Sequence, residues 1–164
     1  MSERARRALS ALAVLAAVGF VALGAVAGGL YWNRVELRAE QLTREQLAAL
    51  ATEQIPTVFT YDYQTVERNL TEAYNLLTPE YRAEFKERAT RDIIPQARER
   101  EVVSQAHVVG AGVLDAHRTR GSVMVYMNRT VTDKSKESVY DGSRLRVDYE
   151  KVDGKWLIDY ITPI

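Results

Sequence analysis

Apolar and polar positions alternate with different periods along this chain, and the changes of period mark its parts. From Ala8 to Asn33 no side chain is charged. A helix over the apolar portion, Leu9–Tyr31, would run about 34 Å, enough to cross a lipid bilayer's ~30 Å hydrocarbon layer with modest tilt. Arg4, Arg6 and Arg7 precede this run, and Tyr31-Trp32 close it. Basic residues before a span hold that end in the cytoplasm, and aromatic residues favour the membrane interface. The same start also describes a cleavable secretory signal, with Ala25-Val26-Ala27 before Gly28 as its small-residue site. Such signals carry an apolar stretch of only about 7–15 residues, so the longer run here favours a retained anchor. The remainder is exported on either reading.

Past Asn33 the period becomes helical. Val35, Leu42 and Ala49 recur every seven residues, with Leu47 and Leu50 beside them, in a segment free of Gly and Pro up to Glu53. This predicts an amphipathic helix that Pro56 bends or ends. Packing of this stalk against its own domain is favoured over a coiled-coil seam, because the register covers barely three heptads. Val66, Leu70, Ala73 and Leu77 predict a second helix over Thr65–Leu77, with Asp62 as a candidate cap. Thr78-Pro79-Glu80 reads as a new helix start: a Thr N-cap, Pro at the first helical position and acid in the first turn. Tyr81, Phe85, Ala89 and Ile93 form that helix's stripe, and Pro95 leaves its end open to a kink and a further turn through Arg100.

From Val102 the period is two. Val102–Leu114 predicts a strand with a bend or bulge at Gly110 and Gly112. Gly121–Thr132 predicts another, with Val123, Val125 and Met127 opposite Met124, Tyr126 and Asn128. Leu145, Val147 and Tyr149 then alternate with Arg144, Arg146, Asp148 and Glu150. Asp153-Gly154 predicts a hairpin turn returning through Lys155–Ile161. The expected fold class is α+β: an N-terminal transmembrane helix and helical stalk, then helices packed on a curved four-stranded antiparallel sheet. The corresponding divisions are a cytoplasmic N-terminus (1–7), a signal-anchor (8–32), a juxtamembrane helical stalk (33–56) and an extracytoplasmic domain (57–164).

Composition narrows the function classes. Basic and acidic residues balance at 22 each, so no patch able to track a phosphate backbone is implied and nucleic acid is not an expected partner. The chain has no cysteine, which removes disulfides, thiolate nucleophiles and thiolate metal sites. The triplets Asn69-Leu70-Thr71 and Asn128-Arg129-Thr130 match a glycosylation pattern but fall inside expected regular elements rather than loops.

Several segments together resemble the actinobacterial Mce-associated membrane proteins: "TYDYQTVERNLTEAYNLLTPEYRAEF", "HVVGAGVLDAH", "VMVYMNRTVTD" and the closing "RLRVDYEKVDGKWLIDYITPI". The resemblance covers essentially the whole length, and its most telling pieces are Tyr61-Asp62-Tyr63, the Leu-Leu-Thr-Pro-Glu-Tyr junction and Asp153-Gly154-Lys155-Trp156-Leu157. It implies a nuclear-transport-factor-2-like cone on a single-pass anchor. It further implies an accessory role in Mce-type lipid import at the cell envelope. The same layout occurs in scaffold subunits of type IV secretion machines.

The cone fold also hosts isomerases and dehydratases, which need His, Asp or Tyr inside the cone. By strand parity His107 shares a face with Val103, Val109 and Val113, and that face is either the apolar or the exposed one. His117 falls in the turn signal Asp115–Gly121, as a solvent-exposed loop residue. Asp148 and Glu150 share a face with Arg144 and Arg146, as on a solvated sheet surface; Asp159 lies on the last strand. Tyr63, Tyr74, Tyr81, Tyr126, Tyr149 and Tyr160 fit core or rim positions as well as a cavity wall. No metal-ligand spacing, nucleophile elbow or phosphate loop occurs in the exported part.

No catalytic, cofactor-binding or metal residue is therefore expected. The leading expectation is a non-catalytic accessory or scaffold protein in the plasma (inner) membrane. It would be single-pass, with its N-terminus cytoplasmic and its C-terminal domain outside. The expected partners are the bilayer through Leu9–Tyr31, Mce transporter subunits and a possible second copy of the chain. The alternative is a lipid- or small-molecule-binding module using a dry cavity lined by Val123, Val125, Leu145, Val147 and Trp156; an enzyme is the third reading.

Overall fold

The computed structural model describes residues 3–164, which divide into two compact units, one through Ala39 and one from Glu40 to Ile164. Helix α1 (Glu3–Phe59) passes from one into the other. In the first unit Phe20, Val21, Leu23, Leu30, Tyr31 and Trp32 are all exposed, Phe20 at 81%. The expected span Leu9–Tyr31 falls partly outside the described side chains, which begin at Gly19. Among the described residues no helix is long and apolar enough to cross a membrane.

The second unit is a helix-backed antiparallel sheet. Its elements after α1 are β1 (Tyr61–Asp62), α2 (Val66–Tyr74), α3 (Pro79–Arg88), a π-turn over Ala89–Ile93 and α4 (Ile94–Arg100). They continue as β2 (Val103–Ala116), β3 (Arg120–Thr132), β4 (Ser138–Val152) and β5 (Lys155–Pro163). The strands lie in sequence order, β1-β2-β3-β4-β5. The sheet thus has five strands, not four; β1 is two residues long, too short for any alternation to announce it.

The stripe that α1 buries differs from the one its seven-residue pattern suggested. Val35 and Leu42 are exposed, and Thr43, Leu47, Ala51, Ile55 and Val58 are buried. Their spacing of three and four residues puts them on one face. Leu47, Ala51 and Ile55 are fully buried within the core cluster. The helix does not end at Pro56 but runs on to Phe59. Proline costs only one helical donor in this last turn, and the Pro56 carbonyl still accepts from the Thr60 N–H at 2.9 Å. Ser104 Oγ donates to the Phe59 carbonyl at 2.8 Å, fastening that helix end to β2.

α2 buries Val66, Leu70 and Ala73 as its period implied, but stops at Tyr74 rather than Leu77. The Ile158 N–H donates to the Leu76 carbonyl, and the Thr78 N–H donates to the Ile158 carbonyl. This bridge to β5 draws the segment out of helical geometry. Asp62 is no helix cap: its carboxylate accepts from the Gln64 N–H at 2.8 Å in an Asx turn. Thr78 does cap α3, its side chain accepting from the Tyr81 N–H with Pro79 next in line. Pro95 lacks the N–H that would close on Arg91, and the ladder adapts by a wider turn in which the Ile94 N–H reaches Ala89.

Irregularities in β2 between Val108 and Gly110 and between Val113 and Asp115 re-aim its side chains. Val123, Val125, Met127, Leu145, Val147 and Tyr149 all face the helices and are buried. Arg144, Arg146 and Glu150 face solvent. Asp153 and Gly154 both adopt positive φ, 49° and 81°, as the tight β4–β5 hairpin requires.

Gly121 sits where the β2–β3 hairpin meets α1. A Cβ there would collide with Leu47 Cδ1 and lie 2.9 Å from the Asp115 carbonyl oxygen. Gly121→Ala is expected to lower stability by about 1–3 kcal/mol, since neither backbone nor a fully buried Leu can yield cheaply. Urea unfolding followed by Trp fluorescence checks this; an unchanged midpoint would show that the hairpin and helix are not in tight contact.

Candidate functional site

The inner face of the sheet is not uniformly filled. Val123, Val125 and Val147 are fully buried, and Trp156 is closed over by Lys151, 5.4 Å from its ring, and by a hydrogen bond to Gln46. The expected cavity at Val123, Val125, Leu145, Val147 and Trp156 is therefore packed core, because the buried stripe of α1 occupies it. A hollow of about 260 Å³ lies further along the same face, and of that expected set only Leu145 lines it. Phe85 and Leu70 form its helical wall, and Leu145 and Ile161 its sheet wall.

Two arginines and two tyrosines supply all the polarity at the hollow that concerns a ligand: Arg88, Arg129, Tyr61 and Tyr81. Arg129 occupies the β3 position that follows Val123, Val125 and Met127 on the inward parity, so backbone geometry alone turns a guanidinium toward the core. It is opposite Asp141 in register, and its Nη2 lies 3.1 Å from Asp141 Oδ2. That carboxylate oxygen also accepts from Ser143 Oγ at 3.0 Å. Arg129 Nε is buried with no hydrogen-bond partner. On α3, Arg88 continues the stripe of Tyr81 and Phe85; it donates to the Tyr81 hydroxyl at 3.4 Å and stands 5.3 Å from the Phe85 ring. No carboxylate is among the hollow's lining residues.

This chemistry does not suit proton transfer near neutrality. Burial pushes the Tyr61 phenol up, against a smaller opposing pull from the Arg129 charge. Burial likewise raises Tyr81, against the Arg88 hydrogen bond. Both remain neutral donors, further from a working base than a free tyrosine. The histidines lie elsewhere: His107 is exposed on the outer face, and His117 is an exposed turn residue 3.0 Å from Asp115.

A second recess, about 380 Å³, brings Asp115, His117, Asp148 and Asp159 to one end of the sheet. Its acids are already engaged: Asp148 by Arg146 at 2.9 Å, Asp159 by Thr78 at 3.2 Å, Asp115 by His117. Among the described residues no group of three His, Asp or Glu is placed to hold a metal. Of the tyrosines singled out by sequence, Tyr81 and Tyr149 are core, Tyr63 and Tyr74 half-buried, and Tyr126 and Tyr160 exposed. Sequence reasoning passed over Arg129 and Arg88, although each is marked by a charge continuing an apolar stripe.

Burial raises the Tyr149 phenol strongly as well, and its hydroxyl has no partner. The folded-state values of Tyr61, Tyr81 and Tyr149 lie above that of an unfolded tyrosine, about 10. Stability is therefore whole below about pH 10 and falls as pH rises toward the folded values, because the unfolded chain loses its protons first. Tyr149→Phe is expected to hold or raise stability at pH 7, by up to about 1–3 kcal/mol, and to flatten this alkaline loss. Urea midpoints at pH 7 and pH 11 measure both effects, and a large loss at pH 7 would mean the hydroxyl has a partner.

No protein-family model matches the chain. It is similar to outer membrane protein Rv1973 of Mycobacterium tuberculosis, 26% identical over 144 residues, which span 88% of this chain and 90% of that one. Uncharacterized protein Rv1362c of the same organism is also 26% identical, over 86% of this chain and 66% of its own length. Among solved structures, an IcmL-like type IV secretion system protein from Legionella pneumophila has a TM-score of 0.63 at 15% identity, covering 74% of this chain and 93% of that one. The periplasmic domain of DotI has a TM-score of 0.62 at 12% identity, over 72% and 92%. VirB8 of Agrobacterium tumefaciens has 0.54 at 14%, over 71% and 88%. The sequence is thus similar to a mycobacterial outer membrane protein, and the chain shares the α+β fold of these solved domains.

Proposed function

We propose that this chain is a non-catalytic, membrane-anchored accessory subunit of a cell-envelope assembly, and specifically of an Mce-type lipid importer. The observation that carries the reading is α1, which exposes Phe20, Leu23, Leu30, Tyr31 and Trp32 along its first unit and buries Leu47, Ala51 and Ile55 in the core of the second. Large apolar side chains clustered in the open are costly in water and favourable in lipid. With Leu9–Tyr31 as the anchor and Arg4, Arg6 and Arg7 on the cytoplasmic side, residues 40–164 stand outside the inner membrane.

The comparisons support the coarser part of this reading, a place in the cell envelope. One relative is named an outer membrane protein. One structural neighbour is a periplasmic domain, and another is named an IcmL-like type IV secretion system protein. A scaffold role on this fold needs no turnover, and the two neutral phenols of the hollow supply none. The Mce association rests on the sequence resemblance described above.

The full-length protein is expected to stay in membranes washed with alkaline carbonate, and a C-terminal alkaline phosphatase fusion is expected to be active. Captured from mild-detergent extracts of native membranes, it is expected to bring down Mce-type permease and substrate-binding subunits identifiable by mass spectrometry. An inactive fusion would overturn the anchor orientation; capture of the protein alone would overturn the accessory role.

A further inference from the structure

We infer that the hollow between α3 and the inner face of β3–β5 is a binding site for a single-chain amphiphile with a carboxylate head, oriented by Arg129 and Arg88. Three observations converge on this class of ligand. The walls are apolar, with Leu70, Phe85, Leu145 and Ile161 contributing side chains. The charges at the hollow are both positive, and no carboxylate lines it. One guanidinium donor, Arg129 Nε, is buried and unpartnered.

A desolvated guanidinium donor left unpaired is costly, and buried polar groups of this kind are nearly always satisfied. Asp141 offsets part of the charge through Nη2 alone. Its Oδ2 is shared with the Ser143 hydroxyl. A carboxylate entering the hollow would meet the half-buried guanidiniums of Arg129 and Arg88. Charge-assisted hydrogen bonds to arginine are the stronger kind, and they gain further where water is excluded. A cation would be repelled by both groups. A neutral apolar molecule would fill the walls but offer neither guanidinium an acceptor.

Size selects within the class. At ~30 Å³ per water-sized group, the hollow accommodates on the order of nine non-hydrogen groups. That is the bulk of a medium-chain carboxylate, or of the head and first turn of a longer acyl chain. A two-chain phospholipid does not fit. The inference concerns the hollow alone and stands apart from whichever assembly the chain joins.

The test uses the full-length chain in lipid nanodiscs and three probes of one chain length: sodium octanoate, octan-1-ol and octyltrimethylammonium. Binding is read as the saturable rise in unfolding temperature. Octanoate is expected to bind at least about tenfold more tightly than octanol, with no saturable response to the cation. Arg129→Gln is expected to weaken octanoate about tenfold or more and leave octanol unchanged. Because that variant also strips Asp141 of its partner, Ile161→Trp provides a second route: by filling the hollow it should abolish both responses. Equal affinity for octanoate and octanol would overturn the anionic specificity. Octanoate binding that survives both variants would place the ligand in the nanodisc rather than the hollow and overturn the site. The absence of any saturable response would mean that water satisfies Arg129, which also overturns it.

Discussion

Everything in the second unit depends on covering one face of a curved sheet. Val123, Val125, Leu145, Val147 and Ile158 present a continuous apolar surface that, left in water, would cost about 1.5–3 kcal/mol for each side chain. α1 supplies the cover by laying Leu47, Ala51, Ile55 and Val58 across it. The fit is close enough that Gly121 has no room for a Cβ against Leu47. α1 is therefore a structural part of the domain, and its last four turns cannot be exchanged for a neutral spacer without uncovering the sheet.

The second consequence of that cover is where it stops. The stripe of α1 ends at Val58 and Phe59, and beyond it α3 and the π-turn take over as the helical layer. The β3 stripe changes at the same level from Val and Met to Arg129. A sheet whose inward parity carries an arginine cannot be closed by another aliphatic side chain without stranding a charge. The hollow sits where the packing changes partner, with one guanidinium held by Asp141 and the other by Tyr81 and Phe85. Its phenols, kept protonated and neutral by burial, offer hydrogen-bond donors and no base near pH 7.

Particular elements show how far the linear pattern reached. The alternation of Leu145, Val147 and Tyr149 with Arg144 and Arg146, the Thr78-Pro79 helix start and the Asp153-Gly154 turn are governed by neighbours within a few residues. Each is present as read. The errors share a cause in distant contacts. α2 ends early because β5 takes the backbone groups of Leu76 and Thr78. The Val35, Leu42 and Ala49 spacing was a real periodicity, but a helix rich in Ala and Leu offers more than one such stripe. The sheet chose the one containing Leu47. β1 exists only as an edge that pairs with Val103 and Ser104.

The candidate site divides in the same way. The scarcity of candidate groups, two histidines and no cysteine, was plain in the sequence. The charge at Arg129 interrupting an inward stripe was also there to be read. Its meaning was not, since strand parity assigns a residue to a face but does not say which face is covered. The sequence by itself determined the periods, caps and turns, because those follow from local sterics and hydrogen bonding. Only the tertiary structure decided which face of the sheet is inside, which stripe of α1 lies on it and where a hollow remains. These are outcomes of packing between segments more than a hundred residues apart, as Gln46 and Trp156 are, in which one stripe wins by the volume it fills.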